Sequence, residues 1–161
     1  MPVTNVTHDV DARTLTITAQ FAAPLARVWQ IYADPRQLEK VWGPPECPAT
    51  VVDHNLTPGG RVNYFMTGPE GERYYGYWDV VAVDEPNGFS INDGFADENF
   101  NANVSLPVSR MDFTFTESGG ATTAVYVSAF ETAEGLQQVL DMGVVEGSTG
   151  AINQIDGLLA A

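Results

Sequence analysis

A series of short turn motifs constrains this chain more than any other feature. Thr57-Pro58-Gly59-Gly60, Gly68-Pro69-Glu70-Gly71, Glu85-Pro86-Asn87-Gly88 and Ser118-Gly119-Gly120 punctuate the middle of the sequence. Proline presets φ and glycine supplies positive φ, so such motifs reverse the chain tightly. Between them the residues alternate or turn β-rich over 49–54, 61–67, 73–84, 88–95, 109–116 and 122–130. Tight reversals between consecutive strands leave antiparallel neighbours, so these segments read as a meander. The polar stretch Ala96 to Pro107, rich in Asn and Asp, reads as a longer loop of the kind that rims a site.

Upstream, Thr14 to Phe21 alternates with period two and adds a first strand, for about seven in all. Leu25, Val28, Trp29 and Tyr32 recur at three and four after Pro24, predicting one short helix, and a second is predicted over 35–40. From Thr132, an N-cap residue followed by Glu134 in the first turn, one helix is predicted to run to about Leu159. At 1.5 Å per residue it is about 40 Å long, enough to cross a sheet. The expected fold is therefore α+β: a curved antiparallel sheet wrapped around a long C-terminal helix, with two short helices between the first and second strands.

Size and composition narrow the setting. The 161 residues, 44% hydrophobic and 17% charged, suit a single domain spanning 1–161, with residues 1–9 expected to be a disordered start. Seven Lys and Arg against 21 Asp and Glu give a net charge of −14, which repels phosphate backbones and anionic lipid, so neither nucleic acid nor membrane insertion is expected. Cys47 is the single cysteine, and the start lacks a basic and apolar leader, so a reduced cytoplasmic location is expected. Two histidines far apart, His8 and His54, offer no metal-ligand spacing, and no phosphate-binding loop occurs, so no metal and no cofactor is expected.

On the long helix a spacing of 100° per residue gathers Leu136, Val139, Leu140, Gly143, Val144, Gly147, Gly150, Ala151, Gln154 and Leu158 on one face. Each interior helical glycine costs ~1 kcal/mol relative to alanine. Either Gly143, Gly147 and Gly150 let the backbone approach the sheet, or they leave room for a ligand. Facing them in strand positions are Tyr64, Tyr75, Tyr77, Trp78, Phe113 and Tyr126. Which side of the strand around 74–83 looks inward is not decided by pattern, because both sides are apolar. One carboxylate stands out: Asp93 is in phase with Phe89, Ile91 and Phe95, so it shares their face, where burial raises a carboxyl pKa. It is a candidate general acid or base with His54 or a tyrosine, or else a strand-end Asp capping a turn.

Several motifs in order carry a resemblance: Pro24-Leu25-Ala26-Arg27-Val28-Trp29, Trp42-Gly43-Pro44, Pro58-Gly59-Gly60-Arg61, Met66-Thr67-Gly68-Pro69-Glu70-Gly71, Gly94-Phe95-Ala96-Asp97 and Met142-Gly143-Val144-Val145-Glu146-Gly147. With these, the chain resembles the family of the Hsp90 ATPase activator C-terminal domain, in the START-like, polyketide-cyclase-like superfamily. The resemblance implies a helix-grip fold. The eukaryotic activator has a further N-terminal domain for which this chain lacks length, so Hsp90 binding is not expected. The expected function is binding of a small hydrophobic or amphipathic molecule between sheet and helix, such as a lipid, a polyketide-like aromatic or an apolar metabolite. Its expected lining is Trp42, Tyr64, Tyr75, Tyr77, Phe95, Phe113, Tyr126, Leu140, Gly143, Gly147 and Gln154. Two alternatives stay open: a cyclase- or dehydratase-like enzyme using Asp93 and His54, and a stress-related or partner-binding protein without ligand. A homodimer is open as well.

Overall fold

A computed structural model describes residues 2–161. The elements follow as β1 (Val3–Asp9), β2 (Thr14–Phe21), α1 (Leu25–Ala33), α2 (Pro35–Trp42), β3 (Ala49–His54), β4 (Arg61–Thr67), β5 (Arg73–Asp84), β6 (Gly88–Ala96), β7 (Ser109–Ser118), β8 (Ala121–Phe130), α3 (Ala133–Asp141), α4 (Val144–Asn153) and α5 (Ile155–Ala160). All eight strands form one antiparallel sheet in the order β1-β2-β8-β7-β6-β5-β4-β3. β3 to β8 are the expected meander. β8 then joins β2, so the N-terminal hairpin completes the far side.

The sheet has eight strands, not about seven, because Val3–Asp9, expected to be disordered, pairs with β2. A register shift between Val3 and Asn5 explains why the pattern hid it: the bulge spaces the half-buried Val3 and Val6 by three residues and erases the period of two. Asp9 Oδ1 accepts from the Ala12 N–H at 3.1 Å and Arg13 adopts φ 60°, which closes the hairpin without glycine. Met1 lies outside the described residues.

The single long C-terminal helix is also corrected, to three segments. Gly143 takes the left-handed conformation, φ 86°, which interrupts an α-helix and which glycine adopts without a Cβ penalty. Its N–H donates to Leu140 O at 3.1 Å and its carbonyl accepts from Gly147 N–H at 3.0 Å, so it closes α3 and opens α4. Thr132 caps α3 as expected, its hydroxyl oxygen accepting from Gly135 N–H at 2.9 Å.

Two apolar clusters lie on the concave face. The larger packs Trp29 and Tyr32 of α1, Leu38 and Val41 of α2, and Ile152 and Ile155 of the last helices onto Phe89, Phe113, Phe115, Trp78 and Tyr126. The smaller joins Leu136 and Val139 of α3 to Leu15 and Phe130. Between them, on the same face of β6, β7 and β8, stand Asp93, Ser109, Met111 and Ser128, of which all but Ser109 are half-buried. Among the described residues no helix is long and apolar enough to cross a membrane.

Candidate functional site

The register settles which side of β5 faces the helices. Trp78 pairs with Val62 on β4 and Asp93 on β6, and it is fully buried in the larger cluster. Tyr75 and Tyr77, three and one residues away, therefore lie on the opposite face. Tyr77 packs under Arg61, whose guanidinium carbon sits 4.3 Å from the ring centroid, and Tyr75 packs against Phe65 and Phe100. These two expected lining residues belong to the convex side.

Gly76 has a particular use. An added Cβ would lie 2.5 Å from both Cζ and the hydroxyl oxygen of Tyr64, so only glycine lets that ring lie across β5. Laid over Gly76, Tyr64 reaches two strands away and donates its hydroxyl to Asp93 Oδ1 at 3.1 Å. Burial raises the Asp93 carboxyl to about 7, the hydrogen bond from Tyr64 opposing this in part. Burial, and then the charge of Asp93, push the Tyr64 hydroxyl well above its ordinary value.

Trp42, at the end of α2, stands edge-on to both Tyr64 and Trp78, with centroids 5.9 Å and 4.8 Å away. Its indole N–H lies on the side of the Tyr64 oxygen that favours the ionised phenol, yet it is buried without a hydrogen-bond partner among the described residues. The Trp78 Nε1 is likewise buried without a partner among the described residues. Phe95, paired with Gly76, and Met66 of β4 continue this face and are half-buried.

Other expected residues serve packing. Phe113 stacks on Phe89 at 4.2 Å, and the Tyr126 hydroxyl meets the Tyr32 hydroxyl at 2.7 Å, so both rings are committed to α1. Leu140 joins the smaller cluster, and Gly143 is the helix break described above. Gln154 Nε2 donates to Gly43 O at 2.7 Å, tying the helix end to the turn after Trp42. Gly150 lies in ordinary contact with Pro44 and Pro45, whereas a Cβ on Gly147 would meet no atom within 4 Å. Of the three glycines, then, only Gly147 borders open space.

His54 does not meet Asp93. Both lie in one row of the sheet, His54–Val62–Trp78–Asp93, three strand spacings or about 14 Å apart. The His54 Nε2 is 2.9 Å from Tyr32 O, which as a carbonyl only accepts, so this nitrogen carries the proton. Asp93 is thus a concave-face carboxyl with a tyrosine partner. Met66, Met111 and Gly76 were not singled out by sequence, and Trp78 was named only among the aromatics facing the helix glycines. The glycine between two tyrosines was the one signal for this crossing.

Two hollows stand out on the surface, and neither is here. One of about 450 Å³ lies along Glu134, Gln137, Gln138, Asp141 and Met142. The other, about 410 Å³, lies between the 104–108 segment and the start of α3. Neither holds a buried titratable group, so the chemistry points to the region around Asp93. Among the described residues no group of three or more His, Cys, Asp or Glu could hold a metal ion.

The profile of the family described as Activator of Hsp90 ATPase homolog 1-like protein matches residues 22–160. The crystal structure of protein Ms6760 from Mycobacterium smegmatis is 70% identical, with TM-score 0.92, covering 98% of this chain and 97% of that one. A solution structure of a protein from Arthrobacter aurescens is 40% identical, with TM-score 0.94, covering 98% and 92%. The AHSA1 protein from Silicibacter pomeroyi, at 22% identity and TM-score 0.71 over 91% and 97%, shares the fold. No curated protein matches the chain.

Proposed function

Because the chain belongs to the Activator of Hsp90 ATPase homolog 1-like protein family, we propose that it binds a small hydrophobic or amphipathic molecule between the concave sheet and the C-terminal helices. The observation that carries this reading is the interruption between the two apolar clusters. Along the rim of the larger cluster Trp42, Met66 and Met111 stay half-buried, as does Phe95 on the same face, and on α4 Gly147 borders open space. Apolar side chains left half-covered beside a few convergent polar groups are what a small-molecule site requires. The lining narrows to Trp42, Tyr64, Met66, Trp78, Phe95, Met111 and Gly147.

An enzyme using Asp93 and His54 together loses support from their separation. Tyr64, the remaining counterpart, is held neutral by burial and is a poor base.

Gly147→Leu tests the binding reading. A leucine there gains helix propensity and enters open space, so the urea midpoint should hold or rise while uptake of an environment-sensitive apolar dye falls. Loss of stability with dye uptake unchanged would show that Gly147 serves packing, and the reading would fail.

A further inference from the structure

Asp93 is a carboxyl without a cation. The three ion pairs among the described residues are Arg36–Glu39, Arg61–Asp79 and Arg110–Asp112, and none includes it. Arg73 is spent on the Phe65 ring on the convex side, Arg13 and Arg27 on Glu131 O and Gln37, and Lys40, in the last turn of α2, is exposed and in none of these pairs. Asp93 is flanked by Tyr64 from β4, Trp78 from β5 and Ser109 from β7, and Trp42 from α2 stands against the Tyr64 and Trp78 rings. Of these only Tyr64 titrates, far above neutrality. Tyr77, on the other face, also senses the Asp93 charge.

A buried carboxylate is stabilised by an opposite charge brought to it, and the faces of Trp and Tyr rings attract the same cations. An incoming anion meets the reverse: Asp93 itself and a net charge of −14. A neutral apolar molecule gains the ring contacts but leaves the carboxylate unpaired.

Resting on the binding reading above, we propose that Asp93 is the counter-ion of a cationic ligand. That ligand is a protonated amine on an apolar body, its nitrogen against the Asp93 carboxylate and beside the rings of Trp42 and Tyr64. The Tyr64 hydroxyl, held across Gly76, orients the carboxylate. Met66, Phe95 and Met111 supply the apolar wall.

The test uses three probes with one chain length, decylammonium, decanol and decanoate, each below its micelle concentration. Binding is followed by calorimetry and by tryptophan emission. At about pH 8.5, where the Asp93 carboxyl is ionised, decylammonium should bind about tenfold more tightly than decanol, with decanoate weakest. At about pH 5.5 that preference should shrink to threefold or less, although the amine stays charged. Asp93→Asn, which keeps nearly all of the protein's negative charge, should remove both the preference and its pH dependence. Decanol or decanoate bound as tightly as the amine at high pH would overturn the proposal and leave the binding reading standing. So would an amine preference that survives in Asp93→Asn, which would be general surface attraction. If no probe binds at either pH, the binding reading fails and takes the proposal with it. The pH comparison needs only the parent protein, so the proposal is decided even if the variant does not fold.

Discussion

Replacing Asp93 by Asn should make the protein more stable above neutrality and alter how its stability depends on pH. In the folded protein the Asp93 carboxyl titrates at about 7, against 3.8 for the free side chain. The folded state therefore holds a proton that the unfolded state has lost, and stability falls as pH rises from about 4 to about 7. The stabilising proton is fully bound below the unfolded value and is gone above the folded one. Taken whole, the difference is roughly 4 kcal/mol, and because part of the residue remains accessible the net effect should be nearer about 2 kcal/mol. Asparagine is nearly the same shape, stays neutral, and can accept the Tyr64 hydroxyl hydrogen bond at every pH. Urea midpoints of parent and variant from about pH 3.5 to 8.5 check this. The curves should lie close together at the acid end and part by about 2 kcal/mol at the alkaline end, the variant above. General repulsion among acidic groups acts on both proteins and cancels in the difference. Parallel curves would mean that Asp93 is ionised at its ordinary pH, and the account of its burial would be wrong.

Gly76→Ala places a methyl group where the Tyr64 ring lies, so it should cost about 1–3 kcal/mol and break the Tyr64–Asp93 hydrogen bond, visible as loss of any Tyr64 effect on Asp93 titration by NMR. Tyr126→Phe leaves the buried Tyr32 hydroxyl unpaired at a cost of about 1–3 kcal/mol, and Tyr32→Phe combined with it should cost less than the two singly, as thermal or denaturant melts will report. EDTA should leave the melting temperature unchanged, a fall of several degrees being the contrary result.

The meander was legible because its turns are written in Pro, Gly and Asn, whose backbone preferences are local. The phase of Asp93 with Phe89, Ile91 and Phe95 was legible for the same reason, since it needs only the period of one strand. β1 was not, because a bulge broke its period, and neither was the Gly143 break, because a helical wheel records where a glycine points and not the sign of its φ. The apolar residues on both sides of β5 concealed that Tyr75 and Tyr77 face away. The Tyr64–Asp93 contact joins residues 29 apart across an intervening strand, and His54 was separated from Asp93 only by counting strands. Such relations live in the register, which no single segment encodes.

The pairing of β2 with β8 has a consequence for how the chain folds. Ile17 meets Tyr126, so closing this ladder joins points roughly 110 residues apart, at an entropic cost of about 4 kcal/mol before any contact repays it. A nascent chain that has not yet emerged past Phe130 holds β2 without its neighbour, the Tyr32 hydroxyl without the Tyr126 hydroxyl, and Phe89 and Phe113 stacked on one flank only. During synthesis the meander must therefore wait with its aromatic face open, and a high share of such distant pairings slows folding and exposes the waiting chain to aggregation. The last strand to be made is the one that lets the first two join the sheet.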